Sequence, residues 1–307
     1  MLKQLIKRLL IAIPTLLIII TLAFFMMRLA PGGPFTTERA LPVEIERKVL
    51  AEYGLDRPLY EQYFKYLKGI VKGDFGPSFK QRDFTVIELI KAGLPASLQI
   101  GSAAVILAML FGLSFGIFAA LKQNTWADYT VMGFAMTGIA VPTFVMAPLL
   151  TLLFGVYLGW LPVGGWGEGE LKYKILPVIT LALPQIAYIS RLTRGSMIEV
   201  LNANYIRTAR AKGLSEKWVI LRHAIRGALL PVVSYLGPAI ASLVTGSLVI
   251  ETIYQIPGVG RYFVQAALNR DYTLVMGVVI LSATLIMLMN IIVDLLYSVL
   301  DPKIQGA

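Results

Sequence analysis

The chain has 307 residues, of which 57% are hydrophobic and only 15% are charged, and it contains no cysteine. Soluble domains carry about 25% charged residues, so this composition argues against a soluble fold and in favour of a membrane protein. The absence of cysteine excludes disulfides, thiolate metal sites and a cysteine nucleophile. The net charge of +10 makes nucleic acid a candidate partner. The apolar composition favours a membrane instead, so we expect no nucleic-acid binding.

Six long apolar runs predict six transmembrane helices, because about 20 apolar residues in a helix span the bilayer core. The runs lie near residues 9–29, 97–121, 130–158, 175–189, 228–250 and 274–300. The first run follows Lys3, Lys7 and Arg8 but is too long for the apolar part of a signal peptide, so we expect it to remain as a helix. The predicted fold class is therefore all-α integral membrane.

Several residues inside the spans carry information about helix shape and packing. The third and fourth spans contain prolines that suggest kinks or breaks, namely Pro142, Pro148, Pro177 and Pro184. Gly112 and Gly116 have the GxxxG spacing that lets helix backbones approach closely in lipid. The fifth span is also rich in small residues, up to Thr245 and Gly246. These patterns predict a tight bundle.

The chain divides into an N-terminal transmembrane helix (1–30), an external, periplasmic subdomain (31–95), a five-helix transmembrane core (96–300) and a cytoplasmic tail (301–307). The segment 31–95 is too rich in Tyr, Phe and Leu for a disordered linker, and amphipathic patterns predict helices at 44–53 and 59–71. Six spans place both termini on one side of the membrane. The loops on that side carry most of the net charge of +10, so the positive-inside rule predicts cytoplasmic termini.

The loop at 190–227, which belongs to the core, has the pattern of a helix, a bend and a second helix. Small residues make the first helix slim, and Gly213 follows it where a left-handed backbone often ends a helix. Ser215 then fits the N-cap of a second helix that runs through Trp218. A slim, basic helix of this kind can enter a groove of a partner protein. The predicted docking residues are Tyr205, Arg207, Thr208, Ala209, Arg210, Ala211, Lys212, Gly213 and Leu214.

This arrangement resembles the cytoplasmic EAA loop of ABC importer permeases, which docks into a cleft of the ATP-binding subunit. Alignment on Gly213 places the Glu-Ala-Ala of the family at Arg207, Thr208 and Ala209, so the Glu and the first Ala are absent here. The form RTARAKG at 207–213 is typical of the oligopeptide and dipeptide permease branch. As in that branch, it is followed by His-Ala at 223–224 and by Pro231.

Other segments resemble landmarks of the same branch and extend the likeness over nearly the whole chain. They are RLAPGGP at 28–34, YGLDRP at 53–58, GDFGPS at 73–78, ETIYQIPGVG at 251–260, NRDY at 269–272 and DPK at 301–303. The resemblance implies a permease subunit of the type I ABC importer kind, a multi-pass protein of the bacterial inner (plasma) membrane.

The resemblance also implies the partners of the chain. A second homologous permease subunit would form the other half of the translocation pathway, two ATPase subunits would bind ATP and Mg²⁺, and an extracytoplasmic protein would deliver peptides. Membrane lipid would surround the spans. We expect no cofactor in this chain and no enzymatic activity of its own, since it lacks the G-x-x-x-x-G-K-[ST] phosphate loop.

Other classes of membrane protein remain possible when only the residues are considered. An ion- or proton-coupled secondary carrier could use Asp294, although we interpret Asn290 and Asp294 as an interhelical contact near the cytoplasmic end. Such carriers commonly show internal repeats, and none is convincing here. A membrane enzyme or assembly factor would need converging titratable groups, but the predicted spans contain only Arg28 and Asp294. Among importers, dipeptides, nickel complexes and other small solutes stay open as substrates.

Two remaining candidates, a pair of glutamates and the single histidine, do not indicate a functional site. Glu168 and Glu170 lie in a Gly-rich loop beside lysines, and we interpret them as a solvated turn. The single histidine, His223, is interpreted as a surface or docking residue.

Overall fold

The computed structural model describes residues 2–29, 43–81, 83–244 and 247–300. Most of this part of the chain is folded into α-helices, several of them long. In chain order they are α1 (Leu2–Leu29), α2 (Val43–Glu52), α3 (Leu59–Val71), α4 (Val86–Leu121), α5 (Trp126–Ala140), α6 (Thr143–Leu150), α7 (Leu171–Leu201), α8 (Asn204–Ala211), α9 (Glu216–Trp218), α10 (Ile225–Ala228), α11 (Leu230–Val244), α12 (Leu248–Ile253), α13 (Val259–Leu268) and α14 (Tyr272–Leu300).

Length and hydropathy qualify five of the described helical stretches as membrane spans, and the bent pair α5 and α6 makes a sixth. The five are α1, α4, α7, the stretch from α11 through α12, and α14. We call the end of the bundle that carries α2 and α3 the subdomain end, and the end that carries α8 the loop end. The small residues Thr245 and Gly246 lie outside the described residues.

The centre of the bundle is the pair α4 and α7, which share the most extensive helix contact in the described part of the chain. Gly112 and Gly116 of α4 face α7. A Cβ atom added at Gly112 would lie 2.7 Å from the Cβ of Ile189, and one added at Gly116 would lie 2.5 Å from the Cβ of Thr193. No larger side chain fits at this separation, so the close packing predicted from the GxxxG spacing is confirmed.

The third predicted span, 130–158, is a bent pair of helices rather than one straight helix. α5 ends at Ala140 and α6 begins at Thr143, with a bend of 104° between them, and π-helical turns at Thr151–Tyr157 continue α6. Pro142 explains the break, because the residue before a proline avoids helical angles, and Val141 is extended with φ −99° and ψ 119°. The predicted break in this span is confirmed.

The fourth span is longer than the apolar run at 175–189. α7 continues through Pro177 and Pro184 as a single 31-residue helix, so the prolines do not break this span, and a kink at either of them stays a prediction. Its packing against α4 and α5 supports the helix where prolines remove backbone hydrogen bonds. Residues 190–201, which we assigned to the loop, form the last turns of α7, and the loop itself begins at Asn202.

The subdomain end is built from α2, α3 and the segment that leads into α4. The predicted helix at 59–71 is confirmed, and the one predicted at 44–53 occupies Val43–Glu52. α4 begins at Val86, earlier than its apolar run at residue 97, because Thr85 and Glu88 form a capping box. Residues 86–95 therefore form the first turns of α4 rather than part of a separate loop.

Asp271 fastens the segment before α4 to the start of α14. Its buried carboxylate accepts hydrogen bonds from the Ser78 hydroxyl, from the Phe79 backbone N–H at 3.1 Å and from the Leu274 backbone N–H at 3.2 Å. One side chain thus caps α14 and holds a segment that lies 192 residues earlier in the chain.

A second buried carboxylate joins α4, α12 and α13. The Ser97 hydroxyl donates to Glu251 at 2.7 Å, and the Arg261 backbone N–H donates to the same carboxylate at 3.1 Å. The Val259 backbone N–H donates to the Ser97 hydroxyl oxygen at 2.9 Å. Glu251 is only 1% exposed, so these donors, rather than water, satisfy the oxygens of its carboxyl group.

The replacement Asp271→Asn should lower the thermal unfolding midpoint of the purified chain in detergent. An amide has only one acceptor oxygen, so some donors at this site lose their partner, at a cost of about 1–3 kcal/mol. The matched control is Asp83→Asn, the same change at an exposed position of the same segment, which should leave the midpoint unchanged. Equal midpoints for Asp271→Asn and the wild type would contradict this role.

Candidate functional site

The loop end carries the sequence-predicted docking residues on α8 and the turn after it. α8 is followed by a bend at 212–215 and then by a second helical stretch formed by α9, the π-helical turns Val219–Ala224 and α10. The predicted pattern of helix, bend and helix is therefore present. We call residues 204–218 the docking element.

Two side chains anchor the docking element to its own chain. Ile206 and Ala209 are buried in a cluster that includes Ala120 of α4 and Met197 of α7. Ala209 is only 7% exposed, so it contributes to this anchor and not to the outer surface. Burial of these apolar side chains against apolar residues of α4 and α7 packs α8 onto the ends of both helices.

The bend depends on the backbone of Gly213, which has φ +77°. This left-handed conformation is the one predicted from the sequence, and the Gly213 N–H donates to the Arg210 carbonyl at 2.9 Å. No atom lies within 4 Å of a Cβ atom added here, so the backbone angle, not crowding, restricts the position to glycine. Ser215 occupies the N-cap position of α9, but its side chain makes no capping hydrogen bond there.

An ion pair closes the bend. The Arg210 guanidinium donates from Nη2 to Glu216 Oε1 at 2.5 Å and from Nε to Glu216 Oε2 at 3.0 Å. This hydrogen-bonded pairing raises the pKa of Arg210 and lowers the pKa of Glu216. The lowered pKa means that the contribution of Glu216 to stability is complete above its unfolded pKa and is lost as the pH falls through its folded pKa. Arg210 is thus engaged within the chain at neutral pH.

The remaining predicted docking residues face outward. Tyr205, Arg207, Thr208, Ala211, Lys212, Gly213 and Leu214 are all exposed. The neighbouring Trp218 is also exposed, and the Arg222 guanidinium lies 5.4 Å from its ring centroid. The outer surface of the docking element therefore combines aromatic rings with basic side chains, a composition common at the centre of protein interfaces.

A partly buried ion pair beside the docking element was not predicted from the sequence. Arg194 of α7 donates to Asp128 of α5 through Nε at 2.7 Å and through Nη2 at 2.6 Å. Asp128 also accepts from the Asn124 backbone N–H at 2.9 Å and is 1% exposed. The pair joins α5 to α7 near the loop end. The two residues are 66 positions apart, and no local pattern in the sequence links them.

A cavity of about 920 Å³ lies between α1, α6, α7, α11, α12, α13 and α14. Its walls are mainly apolar, with hydroxyl and amide groups from Thr143, Gln185, Ser247, Ser282 and Asn290. None of the described residues that line it is charged. The lining residues could not be predicted from the sequence, because polar side chains at isolated positions carry no signal of which cavity they face.

Two of the remaining candidates, Asp294 and Glu170, form ion pairs. Arg8 of α1 lies 2.9 Å from Asp294 of α14 in an ion pair near the loop end, which supports the interpretation of Asp294 as part of an interhelical contact. Glu170 pairs with Lys172 at 2.7 Å on the exposed surface. His223 lies in the π-helical turns after α9 and is partly exposed. Within the described ranges, His, Asp and Glu side chains form no cluster suited to a metal ion.

The fold and residues 204–218 together define a multi-pass helical membrane protein with an exposed basic and aromatic surface at one end. Residues 112–306 match the family of binding-protein-dependent transport system inner membrane components, and residues 1–101 match the N-terminal family of the same membrane components. The chain therefore belongs to the family of binding-protein-dependent transport system inner membrane components. The resemblance seen in the sequence is confirmed, and this family membership disfavours the secondary-carrier and membrane-enzyme alternatives.

Curated relatives match over the full length. The chain is 59% identical over 305 residues to the oligopeptide transport system permease protein OppB of Salmonella typhimurium, covering 99% of this chain and 100% of that protein. It is 43% identical over 305 residues to the dipeptide transport system permease protein DppB of Bacillus subtilis, covering 99% of this chain and 98% of that protein.

Solved structures show the same fold at low sequence identity. The MetNI methionine ABC transporter in an inward-facing conformation matches with a TM-score of 0.57 and 16% identity, covering 70% of this chain and 97% of that chain. An amino acid ABC transporter solved with histidines matches with a TM-score of 0.51 and 17% identity, covering 71% of this chain and 94% of that chain. The predicted fold of an ABC importer permease is confirmed.

The replacement Glu216→Gln should speed backbone amide hydrogen exchange across residues 210–216 at neutral pH. Loss of an exposed ion pair worth up to about 1 kcal/mol corresponds to exchange faster by about two- to fivefold. Glu199→Gln, an exposed charge loss at the end of α7, is the control and should not change exchange in the bend. Unchanged exchange at 210–216 in Glu216→Gln would show that the pair does not hold the bend.

Proposed function

We propose that this chain is the subunit that forms half of the translocation pathway for oligopeptides in an ATP-driven importer. The observation that supports oligopeptides as the substrate is the identity of 59% with an oligopeptide permease over 99% of this chain and 100% of that protein. Substrate contacts in a permease come from many helices, so similarity confined to one motif would not support the same substrate. The likeness here includes every described helix.

The proposal includes four partners. A second homologous permease completes the pathway, two ATPase subunits bind ATP and Mg²⁺ and hydrolyse the nucleotide, and an extracytoplasmic protein delivers the peptide. Both termini and the docking element lie in the cytoplasm, where the ATPases are. The exposed basic and aromatic surface of residues 205–214 supports the assignment of this element to the ATPase interface.

Movement of the docking element would reach the pathway through α7. Ile206 and Ala209 pack α8 against the end of α7, and α7 continues without interruption to the cavity wall at Leu181, Pro184 and Gln185. A helix of 31 residues is about 46 Å long, enough to cross a bilayer. A displacement imposed on α8 by the ATPases would therefore be transmitted as a displacement of the cavity wall.

Neighbouring helices would move with α7. The ion pair between Arg194 and Asp128 attaches the start of α5 to α7, and the contacts of Gly112 and Gly116 attach α4. Because packed interfaces shift between discrete arrangements more readily than they deform, we expect α4, α5, α7 and α8 to behave as one body. This body would rock relative to α1 and α14 as access alternates.

The central cavity suits the peptide backbone better than any particular side chain. Hydroxyl and amide groups can donate to or accept from peptide bonds, and the apolar walls accept side chains of different kinds. Without a charged lining residue in the described part, the cavity offers no fixed counter-charge that would select acidic or basic peptides. We propose that it forms part of the pathway beside the second permease.

Transport and copurification test the proposal. The chain, expressed with candidate partner subunits from its own genome, should copurify from detergent with an ATPase and a second permease. Proteoliposomes with this complex and the binding protein should accumulate a radiolabelled tripeptide only when ATP is present on the side of the docking element. Solute uptake by the chain alone, without any ATPase, would refute the proposal.

The replacement Gly213→Val should uncouple ATP hydrolysis from uptake in these proteoliposomes. A β-branched residue in the left-handed conformation costs about 1–2 kcal/mol, so the bend is displaced and tripeptides taken up per ATP should fall at least about fivefold. Gly195→Val is the matched control, because a Cβ there also has no atom within 4 Å and the backbone is helical. Normal coupling in Gly213→Val would contradict the role of the bend.

A further inference from the structure

Unpaired polar atoms are concentrated at one place in the described part of the protein. In the whole described part, four buried side-chain polar atoms have no hydrogen-bond partner. Three of them belong to Arg28 (Nε), Gln62 (Oε1) and Tyr66 (Oη). These three residues line one cavity of about 200 Å³ at the subdomain end. Each unsatisfied buried group costs about 1–3 kcal/mol, so three around one cavity indicate a missing partner.

The orientation of Gln62 is fixed by its own hydrogen bonds. Its side-chain Nε2 donates to the Leu55 carbonyl at 3.1 Å and to the Arg57 carbonyl at 2.7 Å. Rotation of the amide by 180° would place its oxygen against two acceptors, so Oε1 is the unpaired atom. Gln62 is 9% exposed, and it therefore presents an unsatisfied acceptor to the cavity.

Arg28 and Tyr66 present donors to the same cavity. The Arg28 guanidinium lies 5.3 Å from the ring centroid of Phe24, and the Tyr66 ring lies 5.9 Å from the same centroid. Phe24 thus positions both side chains. Burial raises the pKa of the Tyr66 hydroxyl above its ordinary value, so this group stays protonated and can donate.

Charged groups of both signs complete the lining. Lys65 is basic, while Glu52 and Asp74 are acidic, and all three are exposed at the rim. Together with Arg28 they balance in formal charge. A polyanion such as phosphate would meet two carboxylates, whereas a molecule that carries one charge of each sign would find complementary groups for both.

The volume of the cavity limits the ligand to a small molecule. At about 30 Å³ per water molecule, 200 Å³ corresponds to six or seven waters, and it is below the roughly 300 Å³ at which sites for drug-sized ligands begin. A peptide does not fit. We propose that the cavity binds a free amino acid, with its carboxylate at Arg28 and Tyr66 and its ammonium group at Gln62 and the acidic rim.

This site is separate from the transport cavity and goes beyond the proposed function. Its lining comes from α1, α2, α3, the segment before α4 and Thr273 at the start of α14. A bound amino acid would connect these elements through one molecule. It would therefore hold the subdomain against the bundle and stabilise the chain increasingly as its concentration rises above its Kd.

Binding of defined probes to the full-length chain in lipid nanodiscs tests the proposal. The chain is purified without any soluble binding protein, and the probes are radiolabelled glycine, L-alanine and L-serine. We expect saturable binding and a rise in the thermal unfolding midpoint. Acetate carries only the carboxylate of an amino acid, and methylamine carries only its ammonium group. Each should bind at least about tenfold more weakly than the amino acid with the highest affinity.

Two tyrosine variants on α3 give a matched comparison. Tyr66→Phe removes the unpaired hydroxyl but keeps the ring beside Phe24, so the chain should fold and amino acid affinity should fall about five- to tenfold. Tyr63→Phe removes a hydroxyl that hydrogen-bonds Thr21 at 2.6 Å and does not line the cavity, so the affinity should not change.

Four outcomes would overturn the proposal. The first is the absence of saturable binding by all three amino acids, which would mean that water satisfies the unpaired groups. The second is binding of acetate as tight as that of the amino acids, which would reduce the site to a carboxylate site. The third is tighter binding of inorganic phosphate, which would make it an anion site. The fourth is equal affinity in Tyr66→Phe and the wild type, which would place the ligand elsewhere.

Discussion

The packing of α4 against α7 determines how the other helices of the bundle can be arranged. Gly112 and Gly116 allow the two backbones to approach so closely that a methyl group at either position would collide with α7. In lipid, such packing replaces the hydrophobic drive that holds soluble helices together. Because α7 is held along its length by α4, it stays helical through two prolines and reaches from the subdomain end to the loop end as one element.

The loop end uses this rigid element as a base. Ile206 and Ala209 attach the docking element to α7, and the Arg194–Asp128 pair attaches α5 to the same helix. Buried ion pairs contribute little to net stability, but breaking one leaves an uncompensated charge, which makes them effective for fixing one arrangement of two helices. Residues 204–218 thus combine an exposed outer surface with a buried inner anchor, an arrangement that would transmit movement in the transporter that we propose.

Local features of the sequence predicted local features of the structure. The amphipathic pattern of Leu59–Val71, the left-handed backbone of Gly213 and the break before Pro142 follow from rules that involve only neighbouring residues. The contacts of Asp271 with Ser78 and of Asp128 with Arg194 join distant parts of the chain and leave no local pattern. α7 continues unbroken through Pro177 and Pro184 for the same reason, since long-range packing compensates for the hydrogen bonds that its prolines remove. For the docking element, the sequence predicted the bend but not that Ala209 faces inward.

In the transporter that we propose, the docking element and α7 move as one body. The chain has no cysteine, so pairs of spin labels can be placed on it without background and their distances measured in the assembled transporter with and without bound ATP. The account predicts that the distance from Lys212→Cys on the docking element to Glu199→Cys on α7 stays constant, while the distance from Glu199→Cys to Ile292→Cys on α14 changes. A shift in the first distance with no change in the second would show that the docking element flexes alone and would contradict the account.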